Sequence, residues 1–265
     1  MIREVLRFIN KSDLVIEVID AREPDLTRSK KLEEYVLNRE KKILIVLNKA
    51  DLIPREILEG WKKIFENEGK NAIYISATMH LGTKILRDKI KELLRGKEGT
   101  VIFVGYPKTG KSSIINALKG KHSASTSKIP MAYGYTKTIQ KFKIDSKIYA
   151  WDSPGIIPPD GNELEKVIRG ISVEKLEDPV KAGEMLLLRI IKYNPNAIKE
   201  TYNITFNSPY EFFEKLALKR GWLYKSTKEP NIEEAAKAFI RDYHKGKIIY
   251  YVPPLSMNDD KDSSV

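Results

Sequence analysis

TVIFVGYPKTGKSS, residues Thr100 to Ser113, joins a β-branched apolar run to a loop with two glycines and then to a helical pattern from Ser112 to Leu118. Its second part, GYPKTGKSS from Gly105 to Ser113, fits G-x-x-x-x-G-K-[ST] in the strand–loop–helix setting that makes this pattern a phosphate binder. Gly105 and Gly110 permit a tight loop, so the backbone of Tyr106, Pro107, Lys108, Thr109 and Gly110 can surround an anion. The helix that follows turns its positive end toward the same anion and brings in Ser113. Lys111 has the reach for β- and γ-phosphate oxygens, and the Ser112 hydroxyl suits a Mg²⁺ position. A nucleoside triphosphate is the expected ligand.

Upstream, LVIEVID (Leu14 to Asp20), KILIVLN (Lys42 to Asn48) and NAIYIS (Asn71 to Ser76) are further apolar runs of strand length. Runs of this kind suit a parallel sheet covered on both faces. Helical patterns at Ser29 to Arg39, Pro54 to Glu68 and Thr83 to Arg95 separate them, which predicts βαβ units and a doubly wound α/β domain. Two alternating strands, QKFKID and KIYAWD, come after the loop that follows Leu118. SPGIIPPDGNE then reads as a linker leading out of the domain. Beyond it the patterns are helical only, at Pro179 to Tyr193, Tyr210 to Lys219 and Ile232 to Lys245. The expected division is an α/β domain over 1–160, a small all-helical domain over 161–255, and a disordered tail over 256–265.

Composition narrows the function classes. Hydrophobic residues at 42% and charged residues at 31% suit a soluble globular chain, and no eighteen-residue apolar run exists to span a membrane. MIREVLRFINKSD carries charges through its apolar positions and lacks a signal-peptide core, so a cytoplasmic location is expected. Zero cysteines exclude disulfide partners, thiolate zinc sites and cysteine nucleophiles. His80, His122 and His244 have no metal-ligand spacing. The net charge is +11, and Lys119 to Lys147 holds seven lysines against Asp145. That field draws polyanions such as a nucleotide or RNA, although a solvated lysine-rich surface has the same composition.

Three more segments belong with the phosphate loop. WDSPG, Trp151 to Gly155, ends a strand adjoining it, where Asp152 suits Mg²⁺ held through water and the Gly155 amide can approach a γ-phosphate. NKAD, Asn48 to Asp51, ends the KILIVLN strand. The Asp51 carboxylate can accept two parallel bonds from guanine N1–H and its 2-amino group, a donor pair that adenine lacks. Asn48 can bridge base and phosphate loop, and the stem of Lys49 can lie against the ring. SAT, with Ser76, Ala77 and Thr78, would put the Ala77 amide on guanine O6.

The order of these segments is unusual. NKAD and SAT precede GYPKTGKSS, and DSPG follows it, so the chain resembles the circularly permuted GTPases of the YlqF/YawG group. DAREPDL, Asp20 to Leu26, resembles that group's DARxP element. GYTK, Gly134 to Lys137, resembles its switch-I motif, and AAKAFIRDYHKGKIIYYVPP resembles a C-terminal segment of its archaeal and eukaryotic members. The resemblance implies a circularly permuted P-loop GTPase domain, mostly parallel with helices on both faces, and assembly of the large ribosomal subunit as the process. It implies Lys111, Thr136 and Gly155 as catalytic residues, Ser112, Thr136 and Asp152 around Mg²⁺, and GTP or GDP as ligand. Ribosomal RNA or a subunit precursor is the implied partner, with the chain acting as a monomer.

Two departures matter. Lys108 and Thr109 replace the Asn-Val of the group's usual GxPNVGKS. Lys108 then either takes the place of a K⁺ ion, joining the catalytic set and removing K⁺ dependence, or points to solvent. Ile156 follows DSPG where Ras-like enzymes have a water-orienting Gln, so turnover without a partner should be slow. A nucleotide-gated RNA-binding scaffold with negligible turnover is the alternative. Tyr243, Tyr250 and Tyr251 lie near Arg241, Lys245 and Lys247, a mixture suiting RNA or, equally, a helical core with a basic face. Trp61, Trp151 and Trp222 are expected in packing.

Overall fold

The computed structural model describes residues 2–119, 127–129, 139–152 and 157–255. Two compact units result, one of Met1–Pro158 with Pro253–Val265 and one of Pro159–Val252.

The first unit is built on a sheet with seven strands among the described residues: β1 (Leu14–Asp20), β2 (Lys42–Asn48), β3 (Asn71–Tyr74), β4 (Gly99–Val104), β5 (Ser127–Ile129), β6 (Ile139–Asp145) and β7 (Ile148–Asp152). Their order is β3-β2-β1-β4-β7-β6-β5. The pairs from β3 to β7 are parallel, whereas β6 runs antiparallel to both β7 and β5. This is the expected doubly wound architecture. The order reverses between β1 and β4, and ligands of such sheets bind beyond the carboxyl ends of the strands at that point.

Both sheet faces are covered, which is why the strands read as continuous apolar runs. On one face α5 (Thr83–Leu93) and α6 (Lys111–Lys119) bury Leu86, Ile90, Ile114, Ile115 and Leu118 against Ile16, Val18, Val101, Phe103 and Phe142. On the other lie α1 (Ile2–Lys11), α3 (Lys30–Leu37) and α4 (Arg55–Asn67), whose Val5, Phe8, Ile9, Val36, Trp61 and Phe65 are buried. The first of these helices was not expected. Its apolar positions follow helical spacing, but charges at Arg3, Glu4 and Arg7 mask them in so short a run. Trp61 packs as expected, and the Trp151 ring lies 5.0 Å from that of Phe8. The third strand is shorter than the NAIYIS run: after Tyr74 the chain turns, and Ser76 bridges to Leu81.

The second unit's regular elements are helices: α7 (Glu163–Ile168), α8 (Pro179–Tyr193), α9 (Ala197–Tyr202), α10 (Pro209–Arg220) and α11 (Ile232–His244). Asp178, Ser208 and Asn231 cap three of them through their side chains, and Asn162 with Glu165 closes a capping box on α7. Phe212, Phe213, Phe239 and Tyr202 interlock in the core with ring separations of 5.1–6.0 Å. Tyr243 and Tyr250 are 1% and 0% exposed, so they are core residues and cannot stack on RNA bases. Tyr251 is half-buried.

Between β1 and α3 runs a short helix, α2 (Pro24–Thr27), and the segment is held by buried charges. Arg28 donates to Glu33 through Nε at 2.7 Å and to Glu68 through Nη1 at 3.0 Å, and it lies 4.8 Å from the Phe65 ring centre. Lys70 pairs with both carboxylates. Glu17, wholly buried in β1, accepts the Ser29 N–H at 2.7 Å, but its Oε2 has no hydrogen-bond partner among the described residues. Burial, and then the nearby Glu33 carboxylate, push the Glu17 carboxyl well above the usual range. Glu33 shifts down, because Arg28 and Lys70 outweigh its own burial.

A raised folded value means that Glu17 stabilises fully only below its unfolded value of about 4.3, and the contribution is lost as pH rises toward the folded one. Glu17→Gln keeps the bond from Ser29 and adds a donor for Glu33. Thermal melts between pH 4 and 8 should show the variant gaining a few degrees at pH 8, with the difference shrinking toward pH 4. A variant less stable than wild type at pH 8 contradicts this account of the cluster.

Candidate functional site

The loops after β1, β2, β3 and β4 leave the sheet at one edge and converge on Asn48, those after β3 and β4 on its side chain and that after β1 on its carbonyl. Asn48 Nδ2 donates to the Thr109 carbonyl at 2.9 Å, and Asn48 Oδ1 accepts the Ala77 N–H at 3.1 Å. The Asn48 carbonyl accepts the Ala21 N–H at 2.9 Å. Asn48 itself is 3% exposed. Sequence reasoning expected it to bridge base and phosphate loop, and its bond to the phosphate-loop backbone is present. The Ala77 amide, assigned to a base oxygen, is instead engaged by Asn48. A ligand would have to share it or use the next residue.

Gly110 sits against this clamp with φ 97°, and a Cβ there would stand 2.0 Å from Asn48 Nδ2. At Gly105, φ is 141° and a Cβ would stand 2.3 Å from the Val18 carbonyl oxygen. No other residue type fits either place, so both glycines of the motif are steric requirements. Thr109 is buried and donates to the Tyr106 carbonyl at 2.9 Å. Lys111 opens α6, and its ammonium reaches the carbonyls of Gly105 (3.0 Å) and Tyr106 (3.3 Å). The loop therefore brings amine, helix start and backbone together. Ser112 and Ser113 follow in the first turn and are exposed.

Lys108 is exposed and has a left-handed backbone, φ 63°. Asn adopts that region several times more readily than Lys, which gives the usual Asn of this position a conformational reason of its own. Tyr106 is buried and Pro107 half-buried.

At the other end of the site Asp51 is exposed and accepts from Ser76 Oγ at 2.5 Å. Ser76 Oγ also accepts the Met79 N–H at 3.3 Å and lies 3.4 Å from Thr78 Oγ1, while the Ala50 N–H bonds to the Ile75 carbonyl. NKAD and SAT are thus one hydrogen-bonded unit. Lys49 has φ 67°, and its Nζ pairs with Asp20 Oδ2 at 2.7 Å. Burial alone would raise the Asp20 carboxyl, but Arg22 and Lys49 hold it far below the usual carboxylate range. Asp20 and Arg22 belong to the DAREPDL element, whose resemblance to DARxP assigns no role to either side chain. An Asp at a strand end with Arg two residues on is the signal for the ion pair they form.

Thr136 and Gly155 lie outside the described residues, as do the expected 256–265 tail and Ile156. Asp152 closes β7 beside β4, but its side chain is likewise undescribed.

A family model described as RsgA GTPase matches residues 6–161. A GTP-binding protein of Methanocaldococcus jannaschii is 40% identical over 252 residues, 93% of this chain and 65% of that protein. Nucleolar GTP-binding protein 2 of Saccharomyces cerevisiae is 33% identical over 267 residues, 97% of this chain and 54% of its own. The chain therefore spans between half and two thirds of these relatives. Among solved structures, GDP-bound YlqF superposes with TM-score 0.68 at 28% identity, over 96% of this chain and 98% of that one. GNP-bound YlqF from T. maritima gives TM-score 0.66 at 28% identity, over 94% and 95%.

Asn48→Ala would leave the Thr109 carbonyl and the Ala77 N–H unpaired in a buried place, at about 1–3 kcal/mol each. The melting temperature of the variant should fall by roughly 5–10 °C. An unchanged melting temperature would show that the loops after β3 and β4 are held by something else.

Proposed function

The chain belongs to the RsgA GTPase family, and on that premise we propose that it binds GTP across the loops after β2, β3 and β4 and hydrolyses it to GDP and phosphate. The observation that carries this is the Asn48 clamp, which joins the phosphate loop to the guanine-type motifs in one polar unit.

In this reading Asp51 accepts guanine N1–H and the 2-amino group, with Ser76 orienting its carboxylate. Asn48, Lys49, Ala77 and Thr78 surround the base, and the backbone from Tyr106 to Ser113 surrounds the phosphates. Lys111 swings from the loop carbonyls to the β- and γ-phosphate oxygens and stabilises the charge that builds there. Mg²⁺ fits this loop, because Ser112 is exposed at the start of α6 with Asp152 ending the neighbouring strand, and it would neutralise phosphate charge. Thr136 and Gly155 are proposed to sense the γ-phosphate. Ile156 cannot orient a water molecule, so turnover should be slow until a partner supplies that element.

The partner proposed is ribosomal RNA or a precursor of the large ribosomal subunit. Support comes from the nucleolar relatives, from the lysine-rich stretch Lys119 to Lys147, and from the resemblance in motif order. Single-turnover hydrolysis with and without ribosomal subunits tests this reading. Stimulation by subunits favours the enzyme, whereas subunit binding without stimulation favours the nucleotide-gated scaffold.

For the base, Asp51→Asn should weaken GTP binding at least tenfold and admit xanthosine triphosphate, whose 2-oxo group suits an amide donor. Competition binding with the two nucleotides reads this, and an unchanged preference for GTP removes the guanine assignment. For the cation, we propose that Lys108 takes the place of K⁺. Hydrolysis should then run at equal rates in K⁺ and Na⁺ buffers, and Lys108→Asn should create K⁺ stimulation. Strong K⁺ stimulation of the wild type is the contrary result.

A further inference from the structure

The carboxyl end of β1 carries two buried charges, Asp20 and Arg22, that take no part in the GTP contacts proposed for the loops. Asp20 is 3% exposed and stands level with Asn48 in the ladder between β1 and β2. Its carboxylate accepts at Oδ1 from the Arg22 N–H (3.0 Å) and Arg22 Nε (3.1 Å), and at Oδ2 from Arg22 Nη2 (2.8 Å) and Lys49 Nζ (2.7 Å). A carboxylate offers about four acceptor positions, so Lys49 fills the last one. The Asp20 N–H is itself bonded to Thr27 Oγ1 at 3.0 Å, and Arg22 is wholly buried. The acceptor is therefore rigid before Lys49 reaches it.

Lys49 is the second residue of NKAD and is tied at both ends. Its backbone leaves β2 in a left-handed turn, and its ammonium ends on Asp20. A free lysine carries considerable rotamer entropy, and this anchor removes much of it. The anchor also settles a competition between carboxylates. Asp51 lies two residues from Lys49 and would be its nearest acid in sequence. The described donor to Asp51 is instead the neutral hydroxyl of Ser76.

We propose that Asp20, held by Arg22, is a positioning residue for base recognition. By clamping the Lys49 ammonium it lays the lysine stem as a wall for the base and leaves the Asp51 carboxylate to the N1–H and 2-amino group. This rests on the guanine reading of the site. It assigns to DAREP a task in nucleotide selectivity rather than in phosphate chemistry.

Asp20→Asn tests it, because the amide oxygen can still accept from the Arg22 N–H while the anionic Oδ2 is lost. Binding of GTP, GDP, inosine triphosphate and ATP is measured by competition, beside thermal melts. GTP and GDP share the base, so both should weaken by a similar factor of roughly 10. Inosine triphosphate lacks the 2-amino group, and the preference for GTP over it should shrink. The double variant Asp20→Asn/Lys49→Met should bind GTP no worse than Lys49→Met alone, since both changes remove the same clamp. Losses that multiply in the double variant, or an Asp20→Asn protein with wild-type preference, overturn the proposal. If Asp20→Asn does not fold, Lys49→Gln frees Oδ2 without touching the turn and should weaken GTP and GDP alike, with unchanged affinity overturning the clamp. A wild type that binds ATP as tightly as GTP removes the guanine reading and the clamp with it. A wild type that prefers GTP, with the same preference after Asp20→Asn, removes the clamp alone.

Discussion

One carboxamide sets the geometry of the site. Loops at the edge of a doubly wound sheet are each aimed by their own strand, and nothing in the sheet ladder fixes the distance between their tips. Asn48 supplies that distance, with a donor for the loop after β4 and an acceptor for the loop after β3. Only an amide offers both from one planar group of this length. A carboxylate would repel the Thr109 carbonyl, and an apolar residue would leave two buried polar groups unpaired. The bare Gly110 is the complement of the same contact, since any side chain there would occupy the place of Asn48 Nδ2.

Around that clamp, β1 does two jobs that an apolar strand could not do. Glu17 in its middle and Asp20 at its end are both buried acids, and each holds the segment that returns to α3 through its carboxylate, Glu17 accepting the Ser29 N–H and Asp20 accepting Arg22. The four residues of α2 and the eight of α3 are too short to persist alone in water. Their order comes from Thr27 on Asp20, Ser29 on Glu17, and Arg28 between Glu33 and Glu68. Buried ion pairs of this kind add little net stability over apolar packing, but removing one member is costly. The network works as a specification of where the segment lies, and through Asp20 that specification reaches Lys49.

Much of this was legible in the chain as written. The apolar runs at Leu14, Lys42, Asn71 and Thr100 became β1 to β4, because strands covered on both faces need no alternation. GYPKTGKSS became a loop and helix start, because its glycines stand where a Cβ would strike backbone or Asn48. The first helix is hidden in the sequence, since charges interrupt its short apolar stripe. Tyr243 and Tyr250 were ambiguous, since a tyrosine beside cations reads the same in a core as on a nucleic-acid surface, and burial decided for the core.

The sequence by itself determined the elements and the order of the motifs, because both are local: a strand needs a run of β-branched residues, and a phosphate loop needs glycines at fixed spacing. It also determined that NKAD and SAT precede the phosphate loop, which points to the permuted architecture. Tertiary structure alone decided the partners. Asn48 finds Thr109 sixty-one residues away and Ala77 twenty-nine away, and Lys49 finds Asp20 at a separation of twenty-nine. No spacing rule connects such pairs. They meet because β3, β2, β1 and β4 lie side by side in an order different from that of the chain, so their carboxyl ends share one edge of the sheet.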